Sequence, residues 1–171
     1  MIPARIRSAA TMLGLVLLLL IGVAWAWSAV SEPFPGQEEA VTCESTPVAE
    51  GEKIYPDQVT VSVLNAGDRE GLANQTMTDL VDAGFHQGEL DNAPSDADVS
   101  RVQIWAEDPE NPAVRLVASY FKKPRIVQRD PSLAGVNVVV GDDSPGVKKG
   151  RESVEAEAAT TICSPPTDED L

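Results

Sequence analysis

A chain of 171 residues has room for one domain and little more, and its 13 basic side chains against 27 acidic ones give a formal charge of −14. Nucleic-acid binding needs a basic stripe that displaces counterions from phosphate, so this composition excludes that class and disfavours lying flat on anionic lipid. Removing Arg5 and Arg7, which precede the first apolar run, leaves 11 of the 13 basic residues against all 27 acidic ones, so the rest of the chain is more acidic still.

That apolar run is the first element. No charged residue occurs from Ser8 to Ser31, and Thr11 to Val30 at about 1.5 Å per residue covers roughly the 30 Å of a hydrocarbon core. The expectation is one transmembrane anchor over 11–30. Arg5 and Arg7 keep residues 1–10 in the cytoplasm, and Trp25 and Trp27 fall where an outer aromatic belt lies. A cleaved signal peptide competes with this reading, since "GLVLLLLIGVA" suits an h-region and Ala24, Trp25 and Ala26 fit a small-x-small cleavage pattern. Either way the remainder is extracytoplasmic, and Cys43 lies too far downstream of the run to be a lipoprotein cysteine.

Residues 31–58 are rich in Pro, Glu and small polar residues and read as a tether. The folded unit then spans 59–142. Val59, Val61 and Val63 alternate with Thr60, Ser62 and Leu64 as a strand. A helix follows from Gly71 to Ala83, with Leu72, Ala73, Thr76, Met77, Leu80 and Val81 on its inner stripe and Gly84 as its stop. Weaker strand character covers Phe85 to Leu90, and after the loop "DNAPSDAD" a third strand is predicted in "RVQIWA". Asn111 is placed to cap a second helix with Pro112 in its first position. Ala113, Leu116, Val117, Tyr120 and Phe121 give the stripe, and Lys122 and Lys123 face the C-terminal dipole before Pro124. "RIVQ" and Val136 to Gly141 complete the strands, separated by "RDPSLAG". The order β-α-β-β-α-β implies an α+β two-layer sandwich, with helices on one face of a small mixed sheet and the valine-rich first and last strands near its centre. Residues 143–171 read as an acidic tail, in which only Glu152 to Ala159 suits a short helix.

Cys43 and Cys163 bracket this unit, and a lone pair in an oxidising compartment points to a disulfide between tether and tail, with two free thiols as the alternative. Signals for chemistry are sparse. The turn "NAGDREG", Asn65 to Gly71, opens a helix after a strand, yet it lacks both the dinucleotide and the P-loop spacing. Asp68 and Glu70 are expected to answer the helix dipole themselves and to repel phosphate. Asp96 and Asp98 form an acidic pair in a loop, better read as solvated than as a metal site, and His86 is the only imidazole. Asn74, Gln75 and Thr76 make a formal glycosylation sequon on the helix, and Trp105 is either a packed sheet residue or an exposed binding aromatic. Lys148, Lys149 and Arg151 are the one basic cluster of the tail, read as a solvated turn. No catalytic, cofactor-binding or metal-ligating set is assigned.

Val63-Leu64-Asn65, Gly71-Leu72-Ala73, the helix end from Leu80 to Phe85 and the closing strand Val138 to Asp142 together resemble the LytR C-terminal domain family. The layout of one N-terminal anchor, one such domain and a cysteine on each side is similar to the mycobacterial cell-envelope-integrity type. The resemblance implies an actinobacterial, non-enzymatic envelope protein whose domain binds a cell-wall glycopolymer or an envelope protein. A regulatory partner of LytR-type glycopolymer transferases and an enzyme with an unrecognised site are the alternatives. The transferase domain itself is absent, so the resemblance carries no catalytic residues onto this chain.

Overall fold

The computed structural model describes residues 14–23, Trp25 and residues 43–166, in two compact units, 1–38 and 39–171. In the first unit, residues 14–23 form a helix, α1, whose Leu15 to Ile21 side chains are each more than half exposed. Among the described residues no helix is long and apolar enough to cross a membrane. The remainder of the expected 11–30 anchor, apart from Trp25, lies outside the described residues.

The second unit is an α+β fold built on a five-stranded mixed sheet. Its strands are β3 (Thr60–Asn65), β4 (His86–Asn92), β5 (Val102–Ala106), β6 (Arg125–Gln128) and β7 (Val136–Val140), in the spatial order β4-β3-β7-β5-β6. β3 runs parallel to both β4 and β7, β5 is antiparallel to β7, and β6 is parallel to β5. As the alternation of valines implied, β7 is central with β3 beside it, and both are buried on both faces.

Helices α2 (Leu72–Asp82) and α3 (Pro112–Ser119) cover one face, where Val61, Val63, Ile104 and Val138 meet Leu72, Met77, Leu80, Leu116 and Val117 in one cluster. Each such aliphatic side chain removed from water contributes roughly 1.5–3 kcal/mol, so these two stripes dominate the packing. On the opposite face Leu64, Trp105 and Val139 form a smaller cluster with Val99, roofed by Ala93, Ala97 and Leu133 from loops. Trp105 is therefore a packed sheet residue. It is 2% exposed, its Nε1 donates to Gln103 Oε1 at 3.1 Å, and the Arg129 guanidinium stacks 4.3 Å from its ring centre.

The polar residue in the middle of "VNVVV" has a definite task. Asn137 is fully buried; its Oδ1 accepts from the backbone N–H of Ser132 and Leu133, and its Nδ2 donates to the carbonyls of Leu133 and Gly135. One side chain thus holds the loop "RDPSLAG" that separates β6 from β7, and leaves none of its own polar atoms orphaned.

Four expectations are corrected. Residues 43–58, read as part of a tether, instead carry β1 (Glu44–Val48) and β2 (Lys53–Ile54), which pair antiparallel with β9 (Thr160–Ser164) and β8 (Val154–Glu155) of the tail. Val154 and Ala156, inside the segment expected to be helical, are buried in the main core, with Val154 facing Ile54 across the ladder. α3 ends at Ser119 rather than running to Lys123: Tyr120 caps it, its N–H donating to the Val117 carbonyl, and the chain then turns left-handed at Lys123, φ 55°, ahead of Pro124. Tyr120 and Phe121 still face the core, at 7% and 2% exposure. Val81, placed on the inner stripe by its spacing, is 39% exposed.

Candidate functional site

The turn after β3 binds an anion, and the anion is the chain's own. The Asp142 carboxylate, delivered by the end of β7, accepts from the backbone N–H of Asp68 and of Arg69, each at 3.1 Å. Asn65 braces the same turn, accepting from Gly67 N–H at 3.1 Å and donating to the Arg69 carbonyl at 3.2 Å. A Cβ on Gly67 would overlap the Asp142 carboxylate, so glycine is needed there for close approach. Asp68 and Glu70 do not serve α2, whose first turn holds no acid and whose N-cap is Gly71 at φ 77°. The turn is structural, for a different reason from the one the sequence suggested.

Other candidates disperse in the same way. His86 lies exposed at the start of edge strand β4, and Asp96 and Asp98 are exposed in a loop. Among the described residues no group of His, Cys, Asp and Glu could hold a metal ion. Asn74 of the sequon is exposed, whereas the Thr76 hydroxyl is buried and donates to the Leu72 carbonyl. The basic cluster of the tail splits: Lys148 donates from Nζ to the Ser119 carbonyl and from its backbone N–H to the Tyr120 carbonyl, satisfying the end of α3. Tyr120 in turn donates its hydroxyl to the Arg151 carbonyl at 3.0 Å; burial and the nearby Glu152 push its phenol above the ordinary value.

Cys43 and Cys163 are joined, their Cα atoms 5.2 Å apart, and beside them opens a groove of about 420 Å³. Its floor is apolar, from Ala106, Val114, Val136 and Ile162, and its rim is polar, from Ser45, Glu107, Asp108 and Thr161. Asn111 fixes one wall, since its Oδ1 caps α3 on Ala113 N–H and its Nδ2 donates to the Thr161 carbonyl at 2.9 Å, tying the helix start to β9. Among the described residues, Glu107 and Asp108 are the charged ones lining the groove. The arrangement offers hydroxyls, carboxylates and an apolar base in one concavity. Cys43 and Cys163 had been picked out from sequence; Glu107, Asp108 and Thr161 had not, because β1 and β9 meet across almost the whole unit.

Fold and groove together define a small, disulfide-closed α+β domain of the kind built for an oxidising compartment. Residues 58–143, half of the chain, match the model of the family described as "LytR cell envelope-related transcriptional attenuator". The chain belongs to that family and is an extracytoplasmic, cell envelope-related protein. No curated protein matches it. Among solved structures, the soluble domain of a conserved hypothetical secreted protein from Mycobacterium marinum is similar, at 25% identity and a TM-score of 0.41, over 58% of this chain and 77% of that one. Two of the residues that carry the family resemblance, Asn65 and Asp142, meet at this turn, Asn65 accepting from Gly67 N–H and Asp142 from Asp68 and Arg69 N–H.

Proposed function

We propose that the chain is a non-catalytic module, held at the membrane by its N-terminal apolar run, that supports envelope integrity by binding a neutral, hydroxyl-rich wall component in the groove beside the disulfide. The observation that carries this reading is the lining: hydroxyls and two carboxylates around an apolar floor, with no basic residue among the described ones to receive phosphate or uronate. Sugars pair an apolar ring face with hydroxyls that donate to carboxylates, which matches that distribution. The same acidity speaks against direct contact with DNA, despite the word "transcriptional" in the family's description. The exposed Leu15 to Ile21 surface of α1 supports membrane anchoring.

Calorimetric titration of the detergent-solubilised full chain with neutral glycan fragments of the wall, and with phosphate-bearing ones, tests the reading. Saturable binding of the neutral fragments is expected, lost when Thr161→Trp fills the mouth of the groove. Failure of every wall fragment, together with capture of a LytR-type transferase by the chain in membrane extracts, would replace this function by regulation of those enzymes.

A further inference from the structure

The five-stranded sheet is open at both ends: among the described residues no strand pairs with the outer side of β4 or of β6. Open edges invite pairing, and proteins commonly blunt them with charge. Here the two edges carry opposite signs. Between Arg69 and Arg101 the chain has no Lys or Arg, and Glu89 and Asp91 lie on β4 itself. Four of the 11 basic residues beyond the apolar run, Lys122, Lys123, Arg125 and Arg129, sit on or beside β6, against the single acid Asp130. Like edges of two copies repel each other, and unlike edges attract.

Side-chain faces agree with the charges. Leu90 pairs with Val63 and Ile126 with Ile104, which places both on the helix-covered face, and these are two exposed aliphatics of the sheet, at 37% and 38%. Asp91 pairs with Leu64, Glu89 accepts from Ala134 N–H in the loop, and Arg129 stacks on Trp105, which places these charges on the opposite face. Arg125 shares that face with Gln103. Strand directions also fit, since β6 runs antiparallel to β4 within the sheet.

We propose that β4 of one copy adds to β6 of the next, so that the sheet continues from copy to copy in a head-to-tail row. In an antiparallel register with Leu90 opposite Ile126, Asp91 lies opposite Arg125 and Glu89 is diagonal to it. Such a contact is heterologous, so it propagates head to tail from copy to copy rather than stopping at a pair.

Two differently tagged full-length copies, one carrying Leu90→Cys and the other Ile126→Cys, are co-expressed, and a short bismaleimide is applied to the membranes. A covalent heterodimer is expected between unlike edges, with at least tenfold less product from Leu90→Cys paired with itself. Adding Asp91→Arg to the first copy should cut the yield at least tenfold, and adding Arg125→Asp to the second should restore it. Each variant changes an exposed position, and intact mass showing the native Cys43–Cys163 bond verifies folding. No unlike-edge product from folded variants, equal product from like edges, or failure of the charge reversal to rescue would each overturn the proposal.

Discussion

Asp142 shows how one residue can decide what a loop is for. Its carboxylate occupies the backbone donors of Asp68 and Arg69 that an incoming anion would otherwise reach, and a charge-assisted bond of this kind contributes more than a neutral one. Asp142→Ala should therefore lower stability by about 1–2 kcal/mol in urea melts, the scale of lost bonds to an ionised acceptor at an exposed site. Asp68→Asn with Glu70→Gln should change it by less than about 0.5 kcal/mol, because neither side chain serves the first turn of α2. The reverse ranking would return the two acids to the helix dipole. Gly141, just before Asp142, is equally constrained, as a Cβ there would overlap the Val99 carbonyl.

At the level of elements, α3 is the main fastening of helix to sheet. Leu116 and Val117 are fully buried in the cluster that also holds Val61, Val63 and Val138, and Leu116→Ala should cost about 2–5 kcal/mol by leaving a cavity. A loss below about 0.5 kcal/mol would contradict the packing. The C-terminal end of the same helix predicts a response to pH. Burial, with Glu152 adding to it, raises the Tyr120 phenol above its ordinary 10.0, so the folded state holds that proton more tightly than the unfolded chain does. The stabilisation is complete below pH 10 and is lost as the pH rises through the folded value. Alkaline melts should accordingly steepen above pH 10, and Tyr120→Phe should remove that part of the slope. β3, β5 and both sheet-covering helices were legible because each states its own period, 2.0 or 3.6, over enough residues, β7 showed as a valine run, and β4 and β6 gave only weak or short signals. The end of α3 was not legible, since Tyr120 and Phe121 keep the stripe going after the helix itself has ended at Ser119. Lys148, which satisfies the end of α3, comes from far along the chain.

Across the whole molecule, the part that composition concealed is the clasp of β1, β2, β8 and β9. Their exposed positions outnumber their buried ones, and a two-residue strand such as Lys53–Ile54 has no period to read. They exist through pairing over a separation of 120 residues, a contact that local pattern cannot announce. The groove was invisible for the same reason, because Ile162 and Thr161 reach Ala106 and Val114 only once that clasp has closed. Reducing Cys43–Cys163 removes a constraint worth about 4–5 kcal/mol in the chain-entropy description. Amide exchange should then accelerate first in 43–55 and 154–164, while β3 and β7 stay protected longest. Uniform acceleration would show that clasp and sheet melt as one body. The clasp also fixes how tension passes through the molecule. Cys43 and Cys163, 5.2 Å apart, are the two points through which backbone 44–162 is hung on the chain, so a pull applied on either side runs across the sulfur bridge. The five-stranded sheet, enclosed by that bridge, bears none of the pull.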